Sequence, residues 1–575
     1  MWPEAWDAER RRFVVFGVLL TAACGPPSAD LVLRGGHIYT ADATRSRAEA
    51  LAIRGDKIVF VGSAAGAQAW VDGHTEIVEL EGRMALPAFR DAHVHAITAG
   101  VELGQCDLNE LTTLEAVRDS IAGCATRSGA AGWITGGGFD LGLFPGGAPR
   151  RETLDSLTGS VPTFLSSADG HTSWVNSAAL EVAGVTAETP DPEAGVIVRD
   201  RAGQPVGTLR EDASDLVSRH LPPTSQEEYQ RGLRRALERM ARFGIVSFQE
   251  ASASEALLEA YATADRDGWL SARVRAAQHV DRTRGAEQVE EMLERRQRYR
   301  GRRLEAGSAK IFVDGVIEGA TGALLDPYLP LPGEDPGRSG PDGRGIPNYS
   351  QARLDSIVTR LDGAGMQVHM HAIGDRAIRM GLDALESARR VNGVRDSRHH
   401  LAHIQLFAPE DLPRFAQLGA VANFQPLWSF ADSYMTELTE PRLGPERSRW
   451  QYPIRSVVES GARVAAGSDW SVSSLNPLDA IQVAVTHRSL EAAPDEAVWN
   501  PEQRVDLATI LDAYTVGSAF VNFEDDRSGS LEVGKLADLI VLDRDLFETP
   551  PEEIHRAQVV LTLLEGEAIY RAVPR

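Results

Sequence analysis

The pattern of apolar and polar positions changes character twice along the chain. Near the start, Leu31–Tyr39 and residues 52–62 are short β-rich runs, broken at Gly35-Gly36 and Gly55-Asp56. The same character returns in residues 531–543 and 559–570. Two β-rich ends around a long middle predict one small β-sandwich built from both, residues 30–84 and 525–575. In between, apolar runs alternate with helical stretches such as 227–243 and 351–363, the signature of parallel β/α architecture. Eight runs qualify as strands: residues 85–95, 244–250, 272–279, 309–314, 367–371, 400–404, 420–425 and 464–469. Eight such units predict an α/β fold, a (β/α)8 TIM barrel over residues 85–520, with its active site at the C-terminal strand ends. Residues 104–236 break the repeat and read as an insertion after the first strand. Residues 325–349, rich in Pro and Gly and without an apolar period, are a candidate lid.

The first 24 residues have a different pattern. Arg10-Arg11-Arg12 precedes a mostly apolar run, residues 13–23, that ends in Thr21-Ala22-Ala23 before Cys24. A basic patch, a short apolar core and small residues describe a secretory signal, too short for a stable membrane span. The cysteine resembles that of a bacterial lipoprotein signal. That implies lipidation at Cys24, a place in the bacterial cell envelope, and membrane contact only through the lipid. Thr21 departs from the usual leucine, and an uncleaved N-terminus is the alternative.

Composition narrows the partners. The 575 residues are 43% hydrophobic and 25% charged, enough for a large core and more than one domain. The 82 acidic residues outnumber the 59 basic ones, for a net charge of −23. Such a surface argues against nucleic acid or anionic membrane as a partner and otherwise reads as solubility; the expected partner is a small-molecule substrate. A homo-oligomer is compatible with it. Cys106 and Cys124 match no zinc spacing. In an oxidising envelope they could pair; otherwise they read as two small buried apolar residues.

Candidate chemistry sits at the ends of the strand-like runs. In Asp91-Ala-His93-Val-His95 the two histidines are two apart, so on a strand their imidazoles point the same way. Nitrogen ligands placed like this suit zinc. Further runs end at His371, His403 and Asp469, and Lys310 begins another. His369 falls on the same face as His371, one layer deeper.

Together these residues resemble the amidohydrolase superfamily, in its amidohydrolase-3 (YtcJ-like) branch that includes N-substituted formamide deformylase-like proteins. The likeness spans about 31–570. Its landmarks are the Asp91-x-His93-x-His95 run, Asp169-Gly-His171-x-x-Trp174-x-Asn176, Lys310-x-Phe-x-Asp314-Gly, His371-Ala-Ile-Gly-Asp375, His403, Gly467-Ser-Asp469 and Gly529-Ser-Leu-x-x-Gly-Lys535-Leu-Ala-Asp538-Leu. Ala402, where glutamate is common, and Pro87-Ala88-Phe89, for Pro-Gly-Phe, depart from it.

The resemblance implies one or two divalent ions, zinc first, held by His93, His95, His371, His403 and Asp469. Lys310 stands where related enzymes carbamylate a lysine to bridge two metals. Asp469 is the implied proton shuttle between water and the leaving nitrogen. His171, Trp174, Asn176, Gln249 and Gln425 are candidate substrate contacts. The expected reaction is hydrolysis of a non-peptide C–N bond, amide or formamide. The alternatives are a lipid-anchored solute-binding protein without catalysis, an ester or lactone hydrolase, or an isomerase on the same scaffold.

Overall fold

The computed structural model describes residues 28–573 apart from 110, 129–131, 193, 332–338 and 341. The expected signal segment and Cys24 lie outside the described residues. No described helix is long and apolar enough to cross a membrane.

The middle of the chain forms a parallel eight-stranded sheet that curls into a nearly closed barrel. Its strands are β1 Phe89–Val94, β2 Ile245–Ala253, β3 Arg273–His279, β4 Leu304–Phe312, β5 Gln367–Ala372, β6 His400–His403, β7 Val421–Phe424 and β8 Arg463–Ala466. Amphipathic helices between them, such as Gln226–Arg242 and Asp375–Asn392, bury one apolar face on the barrel.

The seam lies between β8 and β1. There the Asp469 N–H donates to His93 O at 2.8 Å and the His95 N–H to Trp470 O at 3.0 Å. This approach requires glycine at 467, where a Cβ would stand 2.6 Å from the His93 nitrogen and 2.9 Å from Asp91 Oδ1.

The expected first strand, residues 85–95, is in fact divided between two sheets. Met84–Pro87 pairs antiparallel with Leu539–Leu542, whereas Phe89–Val94 enters the barrel beside β2. Pro87 has no N–H to extend the ladder, and the switch falls just after it. The Ala88 N–H bonds Asp538 O at 3.1 Å, and the Phe89 N–H bonds Gly244 O at 2.9 Å.

The two chain ends join, as one mixed eight-stranded sheet. Leu31, Leu51 and Ile58 from the first end share an apolar cluster with Leu539, Val541 and Leu563 from the second. Asp538 fastens this sheet to the barrel floor. Arg90 of β1 and Arg273 of β3 both reach its carboxylate, and it also accepts the Glu565 N–H at 2.9 Å.

The insertion builds its own six-stranded sheet: Cys106–Asp107, Ile134–Phe139, Thr163–Ser167, Thr172–Val175, Gly195–Arg199 and Pro205–Glu211. Of the two readings left open for the cysteines, pairing is realised: Cys106 and Cys124 form a disulfide. The described part of the candidate lid contributes no residue to the cavity wall described below; its Leu325 N–H is tied to Asp375 Oδ1 at 2.8 Å.

Candidate active site

The site is built where β1, β4, β5, β6 and β8 end. On β1, period two sends His93 into the barrel, while Asp91 acts as a strap. The Asp91 carboxylate accepts the N–H groups of His93 and Ser468, both at 3.0 Å, and the Ser468 hydroxyl at 2.5 Å. Burial pushes this carboxyl up to about 7. Asp314 plays the same part across the mouth. It accepts the N–H groups of Ala323, Ile373 and Gly374 at 2.8, 3.0 and 2.9 Å, pinning the turns after β4 and β5.

His93 is fully buried at the centre of the cluster. Its Nε2 lies 3.3 Å from Asp469 Oδ1 and 3.2 Å from Lys310 Nζ. Its Nδ1 is bonded to His369 Nε2 at 2.8 Å, so the deeper histidine orients the upper one. His95, at the rim, places Nε2 3.2 Å from Asp469 Oδ1 and Nδ1 3.8 Å from Glu250 Oε1. His403 Nδ1 stands 3.8 Å from Asp469 Oδ2. His403 and Asp469 both sit in the left-handed region, at φ 77° and 54°, which turns each side chain inward at its strand end. Such backbone is strained for a side chain with a Cβ, and strain of this kind gathers at functional sites.

Burial sets the charge states. His93 is lowered to about 3, by burial first and then by Lys310, which favours the neutral imidazole. Burial lowers Lys310 to about 7. Burial also opposes the Asp469 anion, but the imidazoles of His93, His95 and His403 outweigh it and favour the carboxylate.

These residues fit a divalent ion. One ligand atom from each of His93, His403 and Asp469 lies within 4.8 Å of the others. His403 Nδ1 and Asp469 Oδ1 are buried without a hydrogen-bond partner, although charged and polar neighbours surround them. Two imidazole nitrogens and a carboxylate oxygen are the donor set of a zinc-type site. His95 and Lys310 border the same point. His371 lies alongside, its ring 4.6 Å from that of His403, but its Nε2 turns to Gly315 O at 3.1 Å.

A cavity of about 320 Å³ opens above the cluster. His171, Glu318, His371, His403, Gln405 and Asp469 supply polar groups to its wall, and Val316, Ile373, Leu427, Trp428, Phe430, Met435 and Tyr452 the apolar surface. Trp428 stacks on His403, with ring centres 5.6 Å apart and planes 12° from parallel. His171 reaches the cavity from the insertion. Despite its burial, Glu211 at 2.9 Å raises it to about 9, so it is a cation.

The other expected substrate contacts stand elsewhere. Trp174 packs edge-on against Phe139 and Phe144, and its indole N–H bonds Arg150 O at 3.0 Å. Asn176 caps the helix Ser177–Ala183, accepting the Ala179 N–H at 2.9 Å. Gln249 bonds Gln367 Oε1 at 3.0 Å, within a polar layer deeper in the barrel that also holds Arg275 and Ser308. Gln425 is buried at the end of β7, without a partner and outside the cavity wall. Glu211, Glu318 and Gln405 were not among the residues expected at the site. They lie in turns or at strand ends with no apolar period to mark them. Glu250 is turned towards His95 where the pairing of β2 with both neighbours slips register.

Residues 76–570 match the Amidohydrolase family, and the chain belongs to it. It is 30% identical over 562 residues to Protein LONG AFTER FAR-RED 3 of Arabidopsis thaliana, covering 95% of this chain and 93% of that one. It is 28% identical to the putative amidohydrolase YtcJ of Bacillus subtilis, covering 94% and 99%. It is 27% identical to the N-substituted formamide deformylase of Arthrobacter pascens, covering 94% and 98%. Among solved structures, an uncharacterized metal-dependent hydrolase from Pyrococcus furiosus superposes with a TM-score of 0.67 at 26% identity, covering 90% of this chain and 99% of that one.

Proposed function

We propose that the protein is a metal-dependent hydrolase that cleaves a non-peptide C–N bond, amide or formamide, in a small-molecule substrate. The observation that carries this reading is the trio His93, His403 and Asp469, whose ligand atoms converge beneath a mostly apolar cavity, two of them, His403 Nδ1 and Asp469 Oδ1, without a hydrogen-bond partner. The similarity to a formamide deformylase along nearly the whole chain supports the C–N bond, and a metal-dependent hydrolase of the same fold supports the ion.

A divalent ion, zinc first, would be held by His93, His95, His403 and Asp469, where it supplies Lewis acidity. Asp469 takes the proton of the attacking water and returns it to the leaving nitrogen. His369 keeps the His93 ring in one tautomer. His171, held as a cation by Glu211, faces the substrate carbonyl as a donor. The apolar wall excludes bulk water and accepts the nitrogen substituent. Lys310, whose amine sits beside His93, is the group a carbamate would form on if a second ion binds, with His371 as a further ligand for that ion. We place the mature chain in the bacterial envelope, anchored through Cys24.

A panel of amides, formamides and lactones, read by amine release and by product analysis, tests the reading. Release of amine and acid from an amide or formamide supports it. Turnover of lactones alone, or isomerised product without amine release, would replace it with one of the alternatives on this scaffold.

A further inference from the structure

The cavity has a second polar group of residues, which the proposed chemistry does not use. Three carboxylates, Asp169, Glu318 and Asp432, line the wall that Asp469 also lines, and no lysine or arginine is among the described residues of that wall. Among the described residues of that wall the one cation facing them is His171, which is paired with Glu211 and also favours the anions of Asp169 and Glu318, so the acids outnumber their counter-ion. Asp169 uses Oδ1 to hold its own turn, accepting the His171 N–H at 2.8 Å, while its Oδ2 is buried with no partner. Glu318 is only 9% exposed, and its own backbone N–H donates to its carboxylate. Trp428 and Phe430 present aromatic surface in the same wall.

Buried carboxylates that outnumber their counter-ions are unfavourable. Burial, and then the neighbouring Asp169, raise Glu318 to about 8. Acid groups left open among aromatic rings form a receptor for a cationic nitrogen, which gains both ion pairs and cation–π contact.

We propose that this wall is a subsite for an ammonium or quaternary ammonium group on the substrate, seated by Glu318 and Asp169. Resting on the amide-hydrolase reading above, it makes the substrate class an amide or formamide whose nitrogen substituent ends in a cation, such as a monoacylated diamine. Hydrolysis then releases the acid and a diamine.

The test separates binding from turnover. Choline and its neutral carbon isostere, in which a quaternary carbon replaces the nitrogen, are titrated calorimetrically into the metal-loaded protein. Neither probe presents an amine to a metal. Choline is expected to bind at least about tenfold tighter than the isostere. Glu318→Gln is expected to cut that preference about tenfold, and Asp169→Asn, which can still accept the turn's hydrogen bonds, provides the second variant should the first fail to fold. Equal binding of the two probes, or a preference untouched by the variant that folds, overturns the subsite. Preference for choline with no amide hydrolysed would keep the subsite and discard the hydrolase reading. Hydrolysis of neutral amides with no choline preference would do the reverse.

Discussion

Asp469 and His93 are joined twice. The Asp469 backbone N–H bonds the His93 carbonyl at 2.8 Å, and their side chains approach to 3.3 Å. The first contact closes the barrel between β8 and β1. The second forms the heart of the site. Closure and chemistry therefore depend on the same two residues, and a change at the seam reaches the site directly.

Asp469→Asn keeps the size of the side chain and removes the base. The account expects a fall in kcat of about a hundredfold or more, the lower end of what general acid–base catalysis contributes, with KM moving less. Metal content should fall less than in His93→Ala, which deletes a ligand outright. Steady-state kinetics beside elemental analysis of both variants checks this. A near wild-type kcat would move the proton transfer to another group, such as Glu250.

Gly467→Ala tests the seam. The new Cβ would press on backbone at 2.6 Å, which cannot swing away as a side-chain tip can. Overpacking of this kind costs about 1–3 kcal/mol. A lower melting temperature and weaker metal retention are expected together. Loss of stability with full metal content would show that seam and site are uncoupled.

Asp538 holds the terminal sheet to the barrel through Arg90 and Arg273. Burial opposes its charge, but the two guanidiniums hold it well below the usual carboxylate range. A depressed carboxyl contributes stability that is present above its unfolded value of about 3.9 and is lost as pH falls through the folded value. Asp538→Asn should therefore destabilise by about 1–3 kcal/mol near neutrality, because it removes the carboxylate that Arg90 and Arg273 share and leaves them Glu524, with Glu565 beside Arg273. The gap between variant and wild type should close as pH drops below about 4. Denaturant melts across that range measure it, and a gap independent of pH would contradict the assignment.

If Cys24 carries lipid, detergent is needed to extract the mature protein from bacterial membranes, and Cys24→Ser accumulates unprocessed or soluble. A wild-type chain recovered in the cytosol with Met1 intact would rule this out.

Much of the barrel is legible in the sequence because its strands are continuous apolar runs that end in ligand-type residues. His93, His371, His403 and Asp469 can be placed from those ends, and His369 from period two; Lys310, read as the start of a run over 309–314, instead lies near the end of β4, which begins at Leu304. The division after Pro87 is less visible, since residues 84–89 are apolar on both sides of the switch and only partner strands far along the chain decide it. Trp174 and Asn176 show the limit of a motif: the same residues can touch a ligand or cap a helix, and here Asn176 caps one. Glu318 lies in a segment without a period, so only the folded chain brings it to the cavity, as it brings Glu211 to His171.

The most direct measurement is the metal content of protein purified without chelator, paired with its activity before and after the ion is stripped. The account predicts a substantial fraction of an equivalent of a divalent ion, zinc foremost, loss of amide hydrolysis on stripping, and recovery when the ion is restored. Fully active protein with no bound metal would contradict it.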